Sequence, residues 1–250
     1  MDAKISILFV GESWTSLLLN IKGIDMFHIG KIEDLGKWFR NELSKFPDID
    51  IIHMPNHVAF SDFPKELDTL KKFDVVVLSD IGSNTLVLYP DFFKVPMGPN
   101  RLRIIHDYVK HGGGLVMSGG WNSFSGFMGI ARYHETPIEE ALPVEISYWD
   151  DRVETPEGIA PTILKPEHPI LKNIPLEWPL FLGYNKVKLK EGAELLAKFG
   201  EDPFISIWDF GDGRAMAFTS DLAPHWGTAF VEWQYYGKFW YQAIRWLARR

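Results

Sequence analysis

The sequence predicts an α/β fold: a doubly wound, mostly parallel sheet with helices on both faces and an antiparallel extension toward the C-terminus. Three observations predict it. Short apolar runs alternate with helical stripes through the first half, in the order βαβαβαβ. The run "DVVVLSD" (74–80) is apolar at consecutive positions, as a strand covered on both faces must be. The second half loses that alternation and carries a hairpin signal, "FGDGR", before a last amphipathic segment.

Each element has its own reason. "KISILFVG" (4–11) is an apolar run ending in glycine and reads as a buried strand. In "KIEDLGKWFRNELSKF" (31–46), Ile32, Leu35, Phe39, Leu43 and Phe46 form a helical stripe. "IDIIHM" (49–54) is a second strand. "FPKELDTLKKF" (63–73) reads as a helix with Pro64 at its first position and Leu67 and Leu70 on one face. The third strand is 74–80. "NRLRIIHDYVKHGGG" (100–114) is a helix with Leu102, Ile105 and Val109 inward, stopped by glycines that accept positive φ. "LVMSGG" (115–120) is the fourth strand. "TPIEEALPV" (136–144) carries a capping box, with Thr136 as cap, Pro137 next and Glu139 closing it. Residues 145–190 read as irregular and Pro-rich. "ELLAKF", "FISIWDF" and "RAMAFTSD" read as strands, the last two joined by a turn through Asp212-Gly213. Residues 230–249 read as one long amphipathic helix. No repeat, low-complexity tract or linker divides the chain, so one domain over 1–250 is expected.

Composition bounds the function. Lys+Arg 26 against Asp+Glu 33 gives −7, which speaks against nucleic acid and anionic membranes as partners. The absence of cysteine removes disulfides, thiolate catalysis and thiolate metal ligands. With only Gln234 and Gln242 as glutamines, it also fits a heat-adapted source. The apolar run near the N-terminus is shorter than a signal core or a membrane span, so a cytoplasmic location is expected. Aromatics reach 14%, with Trp 10 and Tyr 8, several beside glycine or polar residues, where they suit either a pocket wall or a subunit contact.

In an open parallel sheet, ligands bind beyond the C-terminal strand ends. Those ends collect polar groups: Glu12, Ser13 and Trp14 after the first strand; Asp80, Ser83 and Asn84 after the third. Ser118, Trp121, Asn122 and Ser123 follow the fourth, and Asp221, His225 and Trp226 the last. A crossing loop, "LGYN", adds Tyr184 and Asn185. Taken singly, each is a common cap or turn former; four such ends converging on one edge make a site. His225 stands first among them, because imidazole titrates near neutrality and serves as acid, base or donor.

Several motif look-alikes drop out. "HGGG" (111–114) follows a helix and precedes a strand, so it is a helix end and not a lipase oxyanion loop. "GESWT" lacks the second glycine of a nucleophile elbow, and no Lys-Ser/Thr follows "GGGLVMSGG" to make a phosphate loop. Pro55 between His53 and His57 argues against a helical metal pair, and no metal ligand set or cofactor motif is read.

"VKHGGGLVMSGGWNSFSG", "TPIEEALPV" and "TSDLAPHWG" together resemble the class I glutamine amidotransferase-like superfamily, specifically a largely uncharacterised cytoplasmic branch near the trehalose-utilisation (ThuA-like) proteins. The resemblance runs from "ILFVGESW" to the last helix and implies a flavodoxin-like sheet with a sharp turn after one strand. In true amidotransferases that turn carries a cysteine, assisted by a histidine and a glutamate. Here it falls on Ser118, Gly119 or Gly120; the histidine corresponds to His225, and Gly227 stands where the glutamate would be. Glutaminase chemistry by thiolate attack is therefore not expected. Three functions remain. One is a non-thiol hydrolase or isomerase on a small polar or sugar-like molecule, with His225 as acid or base and Asp221 or Glu12 orienting it. Ser118 or Ser123 would be the nucleophile, and the Gly119 and Gly120 N–H groups an oxyanion site. The second is a binding module walled by Trp14, Trp121, Tyr184 and Trp226, with Asp80, Asn84 and Asn185 as polar contacts. The third is a homo-oligomer built through the aromatic C-terminal segment, Trp233, Tyr235, Tyr236, Phe239 and Trp240.

Overall fold

A computed structural model describes residues 4–250. Residues 1–3, part of the N-terminal segment weighed above as a leader, lie outside the described residues. The elements run β1 (Ile5–Gly11), β2 (Ser13–Lys22), β3 (Asp25–Asp34), α1 (Lys37–Leu43), β4 (Ile49–Met54), α2 (Asn56–Asp62), α3 (Leu67–Leu70), β5 (Val75–Ser79), α4 (Ser83–Val87), α5 (Arg101–Lys110) and β6 (Gly114–Ser118). They continue α6 (Pro137–Ala141), β7 (Val144–Glu145), β8 (Arg152–Ile159), β9 (Thr162–Ile163), β10 (Phe181–Asn185), β11 (Lys188–Leu189), β12 (Glu194–Phe199), β13 (Asp202–Phe210), β14 (Gly213–Phe218), α7 (Thr228–Val231) and α8 (Tyr236–Leu247).

Eight strands form one sheet in the order β4-β1-β5-β6-β14-β13-β12-β9. The first five are parallel, and β13, β12 and β9 continue as an antiparallel extension. The fold is thus the expected α/β, flavodoxin-like sheet. Strand alternation builds two cores from one sequence pattern. Ile7, Phe9, Val75 and Val77 face α1 and α8, where Phe39, Leu43, Phe239 and Trp240 pack. Leu8, Val10, Val76 and Leu78 face the opposite side, where α5 contributes Leu102, Ile105 and Val109. From β1 the chain crosses through α1 to β4 on one side. From β5 it crosses through α5 to β6 on the other, so the connections diverge between β1 and β5. That divergence opens a crevice at their carboxyl ends, the usual ligand position in such sheets.

Six local expectations are corrected. The segment 31–46 is not one helix: Lys31–Asp34 closes a hairpin opposite Ser13–Ser16, and α1 begins only at Lys37. Ile32 and Leu35 matched a helical period by chance, since strand pairing outweighs the stripe there. The helix read over 63–73 shrinks to the single turn α3, preceded by a separate helix, α2, that ends at Asp62; Phe63 is extended (ψ 136°), as a residue before proline prefers. The capping box of α6 does not close: the Thr136 hydroxyl donates to Tyr133 O, and Glu139 accepts from the Glu135 and Ile146 amides. The β13–β14 turn is Gly211-Asp212, with Gly211 at φ +59° and Gly213 already paired to Phe210. The segment 145–190 contains the antiparallel pair β8–β10, which makes "LGYN" a strand and not a loop. The C-terminal helix is likewise split into α7 and α8, and Tyr236, Phe239 and Trp240 are buried against this chain's own sheet.

Candidate functional site

Glu12 follows β1, Asp80 follows β5, Gly119 and Gly120 follow β6, and Asp221 follows β14, so the parallel sheet delivers all of them to one edge. Three non-glycine residues adopt left-handed backbone there: Glu12 (φ 50°), Asp80 (φ 44°) and His225 (φ 113°). Such strain persists only where surrounding structure imposes it, and it gathers at functional sites. Here amide bonds impose it. Glu12 N donates to Ser79 O at 2.8 Å, and Leu35 N and Gly36 N both donate to Glu12 O at 3.1 Å. Asp80 N donates to Ser123 Oγ at 3.1 Å, and Asn122 N donates to Asp80 Oδ1 at 2.6 Å. Gly120 lies between two acids: a Cβ there would stand 2.8 Å from Asp80 Oδ1 and 3.2 Å from Asp221 Oδ1.

The electrostatics follow from this crowding. Glu12, Asp80 and Asp221 are 1%, 3% and 3% exposed. Burial holds the Glu12 carboxyl well above the ordinary carboxylate range, and the neighbouring Asp221 and Asp80 charges push it further; a hydrogen bond from Ser79 Oγ opposes them. Asp221 is raised well above its range by burial and then by Asp80, against the Trp226 amide. Asp80 is raised by burial, with the Asn122 amide, His225 and the Trp14 indole favouring its anion. His225 Nδ1 stands 3.0 Å from Asp221 Oδ2, and Trp226 N donates to the same oxygen at 3.3 Å. Burial lowers the His225 imidazole, opposed by Glu154 and Asp80, so the ring is neutral at neutral pH. Among the described residues, no hydrogen bond engages its Nε2. Three buried carboxyls whose protonated forms are favoured by burial, beside an imidazole whose neutral form is favoured, make a cluster able to exchange protons with a ligand.

Aromatic rings cover the acids. Trp121 and His225 meet edge to face at 4.8 Å, His225 stacks on Trp226 at 5.1 Å, and Trp14 stands 6.1 Å from Trp121. The Trp14 Nε1 atom is buried and has no partner in hydrogen-bond geometry, although it lies close enough to Asp80 to favour the anion. Glu154 of β8 joins two of the rings, accepting from Trp121 Nε1 at 3.1 Å and Trp226 Nε1 at 2.9 Å. Glu154 lies within 145–190, where the sequence shows no regular pattern, and no motif marks it.

The remaining expected residues fall into other places. Ser118 is the last residue of β6, and its hydroxyl donates to Ser220 O at 3.1 Å; the Ser123 hydroxyl accepts from Asp80 N. Among the described residues, neither hydroxyl bonds to His225. The proposed oxyanion donors also have protein acceptors already. Gly119 N donates to Phe218 O at 2.7 Å and Ser220 O at 2.9 Å, and Gly120 N to Asn185 Oδ1 at 2.9 Å. These bonds hold the turn after β6 closed, so the turn does not present its N–H groups. Asn185 Nδ2 donates to Asp151 Oδ1 at 2.8 Å, and Asp151 accepts from Ser125 N and Gly126 N. That Asn185–Asp151 pair is a buried brace for the loop; burial pushes the Asp151 carboxyl up to about 6. The Tyr184 hydroxyl donates to Asp202, and its ring stacks on Phe199, away from His225. Asn84 lines a separate cavity of about 560 Å³ with Arg132, His134 and Trp149. Among the described residues, no group of three or more His, Cys, Asp or Glu has the geometry to hold a metal ion.

Comparison with known proteins agrees with this architecture. The family described as "Putative glutamine amidotransferase" matches residues 6–249. "Cytoplasmic Protein STM3548 from Salmonella typhimurium" is 39% identical, with a TM-score of 0.91 over 96% of this chain and 98% of that one. "Cytoplasmic Protein STM1381 from Salmonella typhimurium LT2" is 38% identical, with a TM-score of 0.92 over 97% and 99%. A "Putative thua-like protein" from Parabacteroides merdae shares the fold at 14% identity, with a TM-score of 0.56 over 98% and 90%. Among curated proteins, none matches. By the extent of the family match and the identity to the Salmonella proteins, the chain belongs to the glutamine amidotransferase-like family, as a member without any cysteine.

Proposed function

We propose that this protein binds a small polar or sugar-like molecule at the carboxyl edge of the sheet and acts on it by proton transfer through His225, as a non-thiol hydrolase or isomerase. The contact between His225 Nδ1 and Asp221 Oδ2, at 3.0 Å, carries the reading. It orients the ring and leaves Nε2 free to exchange a proton with a ligand. Trp14 and Trp121 supply flat apolar faces of the kind on which sugar rings stack. A chain without cysteine performs no thioester chemistry. The cytoplasm is the compartment this reading takes, in keeping with the Salmonella relatives' description as cytoplasmic proteins. The chain works as one domain in this reading and needs no cofactor.

A second reading, ligand binding without chemistry, is favoured by one observation: the Ser118 and Ser123 hydroxyls are both engaged away from His225. One experiment separates the two. Wild type and His225→Ala are incubated with a panel of neutral mono- and disaccharides and polyols, with binding and product formation followed by ligand-observed NMR. The expected result is binding and conversion of a panel member by wild type and no conversion by the variant, which melts within about 3 °C of wild type. Binding with full recovery of the ligand selects the second reading. No perturbed signal from any panel member with wild type refutes both.

A further inference from the structure

We infer that the hairpin β2–β3 is a dimerisation arm that clasps a second copy of this chain. The arm leaves the domain directly after Glu12 and returns at Asp34. Its two ten-residue strands pair with each other in unbroken register, from Ser13↔Asp34 to Lys22↔Asp25, and with no other strand among the described residues. A lone two-stranded ribbon is marginal in water, and long unpaired edges invite another chain. This ribbon is also apolar on both sides. Directly opposed residues share a face. One face carries Leu17, Leu19, Ile21, Met26 and Ile32; the other carries Leu18, Phe27 and Ile29. All are substantially exposed, Leu17 at 67%, and Ile24 at the tip is 99% exposed.

Area and enclosure select the occupant. The exposed apolar side chains of the arm amount to roughly 1,000 Å², above the largest patch of an ordinary monomer and above the ~800 Å² that each partner gives to a stable complex. A ribbon apolar on both faces must be enclosed, which a flat partner cannot do; exchange about a two-fold axis encloses each arm between the other arm and the other body. Over the whole arm, 13–34, Lys22 and Lys31 stand against Asp25, Glu33 and Asp34, and Lys31 is paired with Glu33, so the arm is close to neutral and its apolar area is what must be covered. The aromatic C-terminal segment is not this contact, because Tyr236, Phe239 and Trp240 are buried within the chain.

The test is the mass of the full chain by sedimentation equilibrium at micromolar concentration. Wild type is expected at twice 28.7 kDa, and Leu17→Glu combined with Leu19→Glu at 28.7 kDa with an unchanged circular dichroism spectrum. A monomeric wild type overturns the inference, as does a dimer that the two charges leave intact. Should the charged variant misfold, Ile24→Cys decides. In a chain with no other cysteine, a benzophenone maleimide on that thiol is expected to cross-link copy to copy on illumination. A product that stays at monomer mass overturns the inference.

Discussion

Replacing Asp221 by asparagine tests the electrostatics of the site through folding stability, with no substrate required. Asp221 sits 3% exposed, and burial together with Asp80 holds its folded pKa well above the ordinary 3.8. The folded state therefore keeps a proton that the unfolded chain has released. A group of this kind contributes stability that is fully present below pH 3.8 and is lost as pH rises through the raised folded value. While that proton is retained, stability falls by about 1.4 kcal/mol for each pH unit. Asparagine resembles the protonated acid and keeps one oxygen for the Trp226 amide or for His225. It also removes the repulsion that raises Glu12. The Asp221→Asn variant is thus expected to lose stability less steeply, by up to about 1.4 kcal/mol per pH unit, and to overtake wild type as pH rises. Urea unfolding at intervals from about pH 5 to about pH 9 measures the slope directly, with one denaturant series per pH. Parallel curves for the two proteins refute a raised Asp221 and, with it, the mutual repulsion of the buried acids.

Three further outcomes follow from the same geometry. Glu12→Gln keeps an acceptor for Ser79 and removes a buried ionisable group, so its melting temperature is expected to gain on wild type as pH increases; thermal scans across the same range check it. Asn185→Ala leaves Gly120 N without its acceptor and removes one of the three donors to Asp151, and is expected to cost about 2–3 kcal/mol in denaturant unfolding. It also raises the Asp151 carboxyl above about 6, because the lost bond favours the anion. Gly119→Ala would place a Cβ 2.3 Å from Thr219 O and 2.5 Å from Thr219 C, backbone atoms that cannot rotate aside. It is expected to destabilise by about 3 kcal/mol or to yield no soluble protein, and a stability within 1 kcal/mol of wild type would contradict the packed turn.

The sequence by itself determined the sheet and the edge where the site lies. Runs such as Ile5–Val10 and Val75–Leu78 are apolar because both faces are covered, and that demand is local enough to be read from neighbours in the chain. Once those strands are parallel, Glu12, Asp80, Trp121, Asp221 and His225 must share an edge, and they do. The tertiary structure alone decided three things. It showed the arm, because residues 13–34 pair only with one another and their apolar residues answer to no core of this chain. Its last residues therefore passed for the start of α1. It separated Asn84, Tyr184, Ser118 and Asn185 from the His225 cluster, because a hydroxyl or amide near a strand end turns toward whichever buried partner is nearest. And it set the protonation of the acids, together with the contribution of Glu154. Burial and mutual repulsion arise only when residues distant in the chain are brought together, and no local pattern encodes them.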